Sequence, residues 1–269
     1  MADASLPRRD VPSRGAGLSA GSFAALVAVG ALVIVSAGDV APSLERLANG
    51  LPRMADLLGR MTPPNTDPGF LTRMFWRIVE TFQIALVGTV IGVIFSLPIA
   101  WASARGVTPL GPLRYLFKAL VSLFRTVPDL VWALLFVSAI GLGAVAGTMT
   151  IVVDTIGFCA RFFAEAIEDA DKQPQEALEA HGASRLSILT AAILPDAMPS
   201  LINTSLFALE KAVRSSVVLG LVGAGGIGQE LKSAFDLFQY RNASAIILAI
   251  FLIVVVMEWA TDRLRARIQ

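Results

Sequence analysis

Charge is scarce in this chain. Charged residues make up 16% of the 269 and hydrophobic residues 55%, whereas a soluble domain averages about 25% charged. Together with a mean hydropathy of +0.68, this excludes a water-soluble globular protein. Cysteine is nearly absent: Cys159 stands alone in an apolar stretch, which removes any intrachain disulfide framework and any multi-cysteine metal site. Its surroundings give it the reading of a small buried hydrophobe. The single histidine, His181, rules out a metal triad built on histidine. The zinc motif H-E-x-x-H and the phosphate-cradling G-x-x-x-x-G-K-[ST] are both missing, so hydrolytic catalysis is not expected and neither metal nor nucleotide is assigned to this chain. The net charge is +1, from 22 Lys and Arg against 21 Asp and Glu, and carries no field that would recruit nucleic acid.

What the chain has in quantity is length without charge. Three runs of 24 residues, Gly15–Gly38, Thr81–Ala104 and Leu130–Val153, hold no charged side chain, and about 20 apolar residues cross a bilayer as a helix. With three weaker segments the pattern predicts an all-α, polytopic membrane protein of about six transmembrane helices. The segments are Phe23–Ser36, Thr81–Ser103, Arg125 to the glycine-rich turn at 141–147, from there to Glu168, then 197–221 and 243–261. The first segment follows Arg8, Arg9 and Arg14, a pattern shared by uncleaved spans and signal peptides; a retained span is favoured because the apolar run is long and more follow.

Residues 39–78 form the longest polar interval. Within it Leu44, Leu47, Leu51, Met54, Leu58 and Met61 recur every three or four positions among charged residues. That spacing predicts an amphipathic helix too polar to span, lying on the membrane surface or against a partner and ended by Pro63 and Pro64. Domain boundaries follow: 1–78 for the tail, first span and surface helix, and 79–269 for a core with a polar loop at 169–196. Pro98 is expected to kink the second span. If both termini are cytoplasmic, that side collects 11 Lys and Arg against 7 opposite, in the direction of the positive-inside bias.

The remaining four cations lie within the apolar segments. Asp154, Arg161, Glu165 and Glu168 are separated by 7, 4 and 3 residues, and Asn203, Glu210 and Arg214 by 7 and 4, so each set falls on one helical face. A charge at the bilayer centre costs about 2.5–3.5 kcal/mol on insertion scales, which turns such faces toward protein or water. Two readings are compatible. The groups pair structurally, as Arg125 with Asp129 and Arg161 with Glu165 at four-residue spacing allow, or Arg125, Lys211, Arg214 and the hydroxyls of Ser215 and Ser216 meet an anionic substrate.

The cluster Gly223, Gly225, Gly226 and Gly228 satisfies G-x-G-x-x-G, yet a dinucleotide site needs a strand before it and a helix after it. Here a charged apolar segment precedes it and no alternating strand pattern is present. A sharp bend or close helix approach fits better, on a re-entrant or gate-side element.

Between the fourth and fifth segments lies Pro174-Gln-Glu-Ala-Leu-Glu-Ala-His-Gly182. Proline at its start and glycine past its end mark a helix of about two turns. Ser184 is placed to cap a second segment ending at Pro195. A capped helix held between two spans is a knob, suited to docking, and His181 within it reads as a solvated or interface residue.

At this loop the chain resembles a known family. Glu176, Ala177 and Leu178, Gly182 six residues after Glu176, and Leu194 with Pro195 are similar to the E-A-A-x-x-x-G-x9-I-x-L-P loop of ABC-importer permeases. Leu178 stands in place of the second alanine, and Ala192 in place of the usual isoleucine. The segments Arg125-Thr-Val-Pro-Asp-Leu-Val-Trp132 and Arg214 to Gly228 are similar to permease subunits of phosphonate importers; the resemblance covers about Thr81 to Arg267.

This resemblance implies a type I ABC importer permease of a prokaryotic cytoplasmic membrane, translocating phosphonate or phosphate-type oxyanions. The implied partners are a second permease copy, two cytoplasmic ATPases that hold ATP and Mg, and an extracytoplasmic binding protein. The loop carrying Glu176, Ala177, Leu178, Glu179, Ala180, Gly182, Leu194 and Pro195 would dock into the ATPase. Arg125, Asp129, Lys211, Arg214, Ser215, Ser216 and the glycine cluster would belong to a pathway or gate, and Asp154, Arg161, Glu165 and Glu210 to the charge stripes. Three rivals remain: the same fold importing another small substrate, an ion-coupled secondary transporter, which should show inverted repeats with broken helices in both halves, and a membrane scaffold, which has no use for charged stripes.

Overall fold

Small residues recur along the second apolar segment at Thr81, Ala85, Gly88, Gly92, Ser96 and Ala100, in steps of three or four that put them on one helix face. In the computed structural model, which describes residues 20–40, 44–108 and 110–267, that face is the seam of a helical bundle. Every regular element among the described residues is a helix.

The chain divides into two compact units, Met1–Asp56 and Leu57–Gln269. The first unit holds α1 (Ala20–Val40) and the greater part of α2 (Leu44–Met61). α1 is exposed along its entire apolar stretch, as a helix meant for lipid would be. α2 is amphipathic as its spacing predicts, with Leu51, Met54 and Leu58 exposed. Arg8, Arg9 and Arg14, on which the reading of the first span partly rests, lie outside the described residues.

The second unit is built around α3 (Pro68–Ser103) and α6 (Ala144–Asp169). Asp67 starts α3 by accepting the Phe70 amide at 3.0 Å, with Pro68 at the first helical position, where its missing N–H removes no bond. α3 is about 54 Å long at 1.5 Å per residue, and it passes through Pro98 as one unbroken helix. α6 packs against α3, α4 (Arg114–Thr126), α5 (Asp129–Ile140) and α9 (Leu194–Gly220). Between α6 and α9 come α7 (Lys172–Ala180) and α8 (Arg185–Ile188); α10 (Gly226–Asp236) and α11 (Tyr240–Arg265) close the chain.

Three apolar clusters stack along α3. At one end Phe70 meets Ile227 and Ala234 of α10 and Ala243 and Ile246 of α11. In the middle Ile84 and Ala85 meet Ile151, Val213 and Leu219. At the other end Ala100 and Ala104 meet Phe163, Ile167, Leu189, Ile193 and Leu201. Outward-facing residues such as Phe82, Val90, Ile94 and Phe95 on α3 and Leu248, Phe251, Leu252 and Val255 on α11 are exposed, an apolar coat for a bilayer.

Among the described residues four helices are long and apolar enough to cross a membrane: Ala20–Gly38, Pro68–Ser103, Arg185–Gly220 and Tyr240–Arg265. A fifth crossing exists if Gly111–Thr126 and Asp129–Ile140, bent by 90°, are taken together. Each of the six expected segments falls on a helix or helix pair, but the spans found among the described residues number four, or five with the bent pair, and the fourth expected segment, on α6, is not one of them. Two expectations need correction. The third segment is two helices, because Pro128 cannot donate to a preceding turn and Val127 before it is held extended. The segment capped by Ser184 does not stop at Pro195. It runs on through a wide π turn at Leu189–Ile193, in which the Leu194 amide reaches the Leu189 carbonyl, and Pro195 sits in the first turn of α9.

The α3–α6 seam has no room for a side chain at Gly88 or Gly92. A Cβ on Gly88 would stand 2.6 Å from Ile151 Cγ2, and one on Gly92 2.5 Å from Thr155 Cβ. Gly92→Val is expected to force the helices apart at a cost of about 1–3 kcal/mol. It should lower the melting temperature of the detergent-extracted protein well below that of an exposed-face control such as Val90→Ala, as read by thermal-shift size-exclusion chromatography.

Candidate functional site

The loop at 169–196 is pinned at its base. The Asp171 amide donates to Asp196 Oδ2 at 2.9 Å, joining the start of α7 to the first turn of α9. Asp171 also caps α7 by accepting the Gln173 amide at 3.0 Å, so the helix begins at Lys172 and not at Pro174 as expected; proline is tolerated in a first turn because those amides have no intrahelical acceptor. Gln175 Nε2 donates to the carbonyls of Ala170 and Asp171 at 3.1 and 2.9 Å. At the far end Gly182 takes φ +76°, and the Gly182 and Ala183 amides close on the Glu179 and Leu178 carbonyls, a left-handed helix stop of the kind glycine permits. Ser184 accepts the Ser187 amide at 3.2 Å, as its cap role predicts. Arg185 donates to the Thr108 carbonyl at 3.2 Å.

No residue of α7 is buried. Glu176, Ala177, Glu179, Ala180 and Gly182 are exposed, Leu178 is half-buried, and His181 turns its Nδ1 onto the Ala177 carbonyl at 2.7 Å. The result is a rigid projecting knob, held by both ends of the loop, with Leu194 half-buried and Pro195 exposed at its base.

The intramembrane charges are largely paired. Lys211 Nζ lies 2.8 and 2.9 Å from the two Asp154 oxygens, joining α9 to α6, and 5.3 Å from the centre of the Phe158 ring. Arg161 meets Glu165 at 2.9 Å within α6, as its spacing predicts. Glu210 accepts from Arg214 and from Arg265 of α11, both at 3.2 Å. Glu168 takes the Arg105 amide at 2.7 Å and faces Lys118 at 3.9 Å. Arg125 and Asp129 do not pair, because the 90° bend between α4 and α5 removes their common helix face; Asp129 instead accepts the Leu130 amide at 2.9 Å. Among the described residues Arg125 has no ion-pair partner. Sequence reasoning missed Arg265, which stood as one of three terminal arginines, and the roles of Lys118, Arg105 and Asp196. Nothing in their local spacing distinguishes them.

The pathway candidates separate by placement. Arg214 and Arg125 are exposed, and Lys211 and Ser215 are half-buried. Ser216 is buried and donates to the Val213 carbonyl at 3.1 Å. Gly223, Gly225, Gly226 and Gly228 are also buried, in the turn from α9 into α10. There Gly143 donates to the Gly223 carbonyl at 2.9 Å and Ile227 to Thr81 Oγ1 at 2.8 Å. Positive φ at Gly223, Gly225 and Gly226 makes this tight turn possible. In the single chain these glycines and Ser216 sit in packed interior, with no surface on which to meet a solute.

Residues 88–269 match the family described as binding-protein-dependent transport system inner membrane component. The chain belongs to this family. It is a permease of the ABC-importer type, 36% identical over 220 residues to the phosphite transport system permease protein PtxC of Stutzerimonas stutzeri, covering 81% of this chain and 79% of that one. It is also 38% identical over 209 residues to the phosphate-import permease protein PhnE of Mycolicibacterium smegmatis, covering 78% of this chain and 39% of that longer protein. In fold it matches the MetNI methionine ABC transporter in an inward-facing conformation with a TM-score of 0.66 at 24% identity, over 76% of this permease and all of that chain.

Asp154 and Lys211 allow a direct test of pairing. Lys211→Met leaves a mostly buried carboxylate without its cation, and the expected loss is about 2 kcal/mol, below the roughly 3–5 kcal/mol of a fully buried pair because Lys211 keeps about a third of its side-chain exposure. The double variant Asp154→Asn with Lys211→Met should recover part of that loss in thermal denaturation of the purified protein.

Proposed function

We propose that this permease imports small phosphorus oxyanions, phosphonate, phosphite or phosphate, handed over by an extracytoplasmic binding protein. It acts as a pair of identical chains driven by two cytoplasmic ATPases. The single observation that carries the reading is the projecting, doubly anchored helix Lys172–Ala180, whose residues match the docking loop of ABC-importer permeases. The relatives named for phosphite and phosphate support the cargo, and the intramembrane cations Arg125, Lys211 and Arg214 suit a dianionic headgroup.

In this reading both termini and the α7 knob are cytoplasmic, in agreement with the bias of 11 Lys and Arg against 7. ATP and Mg belong to the ATPases, and this chain hydrolyses nothing. Closure of the ATPase pair moves the knob, and the knob moves α6 and α9. Exposed charges at Arg161 and Arg214, 54% and 58% accessible in one chain, face a second copy or the aqueous route between copies, since lipid is a poor neighbour for them.

Two experiments test it. The permease reconstituted with its ATPases and binding protein should show ATPase activity stimulated by phosphate, phosphite or alkylphosphonates; stimulation by none of them, with stimulation by an unrelated solute, overturns the cargo. Deleting Gln175–Gly182 should abolish co-purification of the ATPases, while ATP-driven uptake that survives the deletion removes the docking role.

A further inference from the structure

We propose that the pocket between α4 and the loop-side end of α6 is an oxyanion-binding station, with Arg125 as its anchor. The pocket is open and holds about 520 Å³. Its walls carry three cations, Lys118, Arg125 and Arg161, against two carboxylates, Glu165 and Glu168. Both carboxylates are already engaged: Glu165 by Arg161 at 2.9 Å, and Glu168 by the Arg105 amide at 2.7 Å with Lys118 at 3.9 Å. The group left over is the Arg125 guanidinium, exposed and without an ion-pair partner among the described residues. The excess charge of the pocket is therefore positive and sits on a side chain whose planar fork matches a phosphoryl or phosphonyl group.

The sequence builds this arrangement on one helix face. Lys118, Ser122 and Arg125 are four and three residues apart on α4, so their side chains line up on the same side, and all three line the pocket. The break at Val127 and Pro128 lays α4 across α6, where Gly157 leaves no space beyond the backbone of Phe124 and Arg125. A small residue at 157 thus brings the α4 cations up to the α6 charges. The occupant is a small oxyanion, and two sources share its chemistry: free phosphate or phosphonate leaving the route, and the phosphate of a lipid headgroup. The cytoplasmic position of the station rests on the orientation proposed above, since Glu168 lies four residues before α7; the oxyanion chemistry does not.

The test uses the full-length permease with its ATPases in phosphatidylcholine nanodiscs, without binding protein or ATP, and measures equilibrium binding of radiolabelled inorganic phosphate. Wild type should bind saturably. Arg125→Gln should weaken that binding by about tenfold or more, the scale of one hydrogen-bonded charge, and Arg125→Lys should restore part of it, keeping charge without the fork. Wild-type and Arg125→Gln complexes that bind alike overturn the proposal, as does the absence of saturable binding. Should Arg125→Gln fail to elute as an intact complex, Lys118→Gln replaces it, with a several-fold loss expected and unchanged binding overturning the proposal.

Repeating the titration with phosphatidylglycerol present separates the sources. Suppressed phosphate binding supports the station with a headgroup as occupant, and unchanged binding supports it with the free ion. The outcomes are also separable from the transport reading. Wild-type complex that imports phosphonate yet shows no Arg125-dependent binding overturns the station alone, and Arg125-dependent binding without import overturns the cargo alone.

Discussion

The backbone-to-backbone approach of α3 and α6 is the constraint on which the rest of the bundle depends. Gly88 and Gly92 let the Ile151 and Thr155 side chains and the Thr148 and Val152 carbonyls of α6 come directly against the α3 backbone. In lipid, where apolar surfaces gain little from meeting one another, such close contact is a main source of helix association. Because α3 runs through all three apolar clusters, the position of α6 against it also sets where α9, α10 and the α4–α5 bend can sit. Thr81, at one end of the same face, accepts the Ile227 amide and so fixes the start of α10.

The charges are fitted onto this frame. A bundle locked by small residues leaves α6 and α9 close enough for Asp154 and Lys211 to bond directly, and places Arg265 of α11 on Glu210. Asp154 and Glu210, whose side chains are largely buried in the bundle, each have a cation, so the near-neutral total charge of the chain has a local counterpart. Of the four cations within the apolar segments, Arg125 alone has no carboxylate partner among the described residues, and Arg161 and Arg214, though paired with Glu165 and Glu210, keep an open side where a second chain, water or a solute is the available neighbour.

Much of this was readable in the sequence because it depends on local spacing. The uncharged run Thr81–Ala104 marks the body of α3, Ser184 caps its turn, Gly182 stops α7, and Arg161 finds Glu165 four residues on. The resemblance at Glu176–Pro195 located the knob. What was not readable depends on tertiary geometry or on competition between local signals. Asp171 outcompetes Pro174 as the start of α7 because its carboxylate supplies an acceptor that proline lacks. Pro128 divides what hydropathy alone joins into one span. The bonds of Lys211 to Asp154, of Arg265 to Glu210 and of Asp171 to Asp196 join residues 57, 55 and 25 positions apart, and no periodicity reports such distances. The glycine cluster was legible as a tight turn, yet its burial against α3 follows only from the seam.

The hydrogen bond between the Asp171 amide and Asp196 has a mechanical meaning. It makes the loop a closed clasp, so a load applied to α7 cannot be absorbed by opening the loop at its base without first breaking that bond. The load passes to α6 and α9 together. Lys211, seventeen residues beyond Leu194, is about 25 Å along α9 at the helical rise, and there the same two helices are tied again by Asp154. Joined at two separated points, the pair behaves as a stiff beam more than as two independent rods. On the docking reading proposed above, motion delivered at the knob would reach the middle of the bundle as a tilt of this pair.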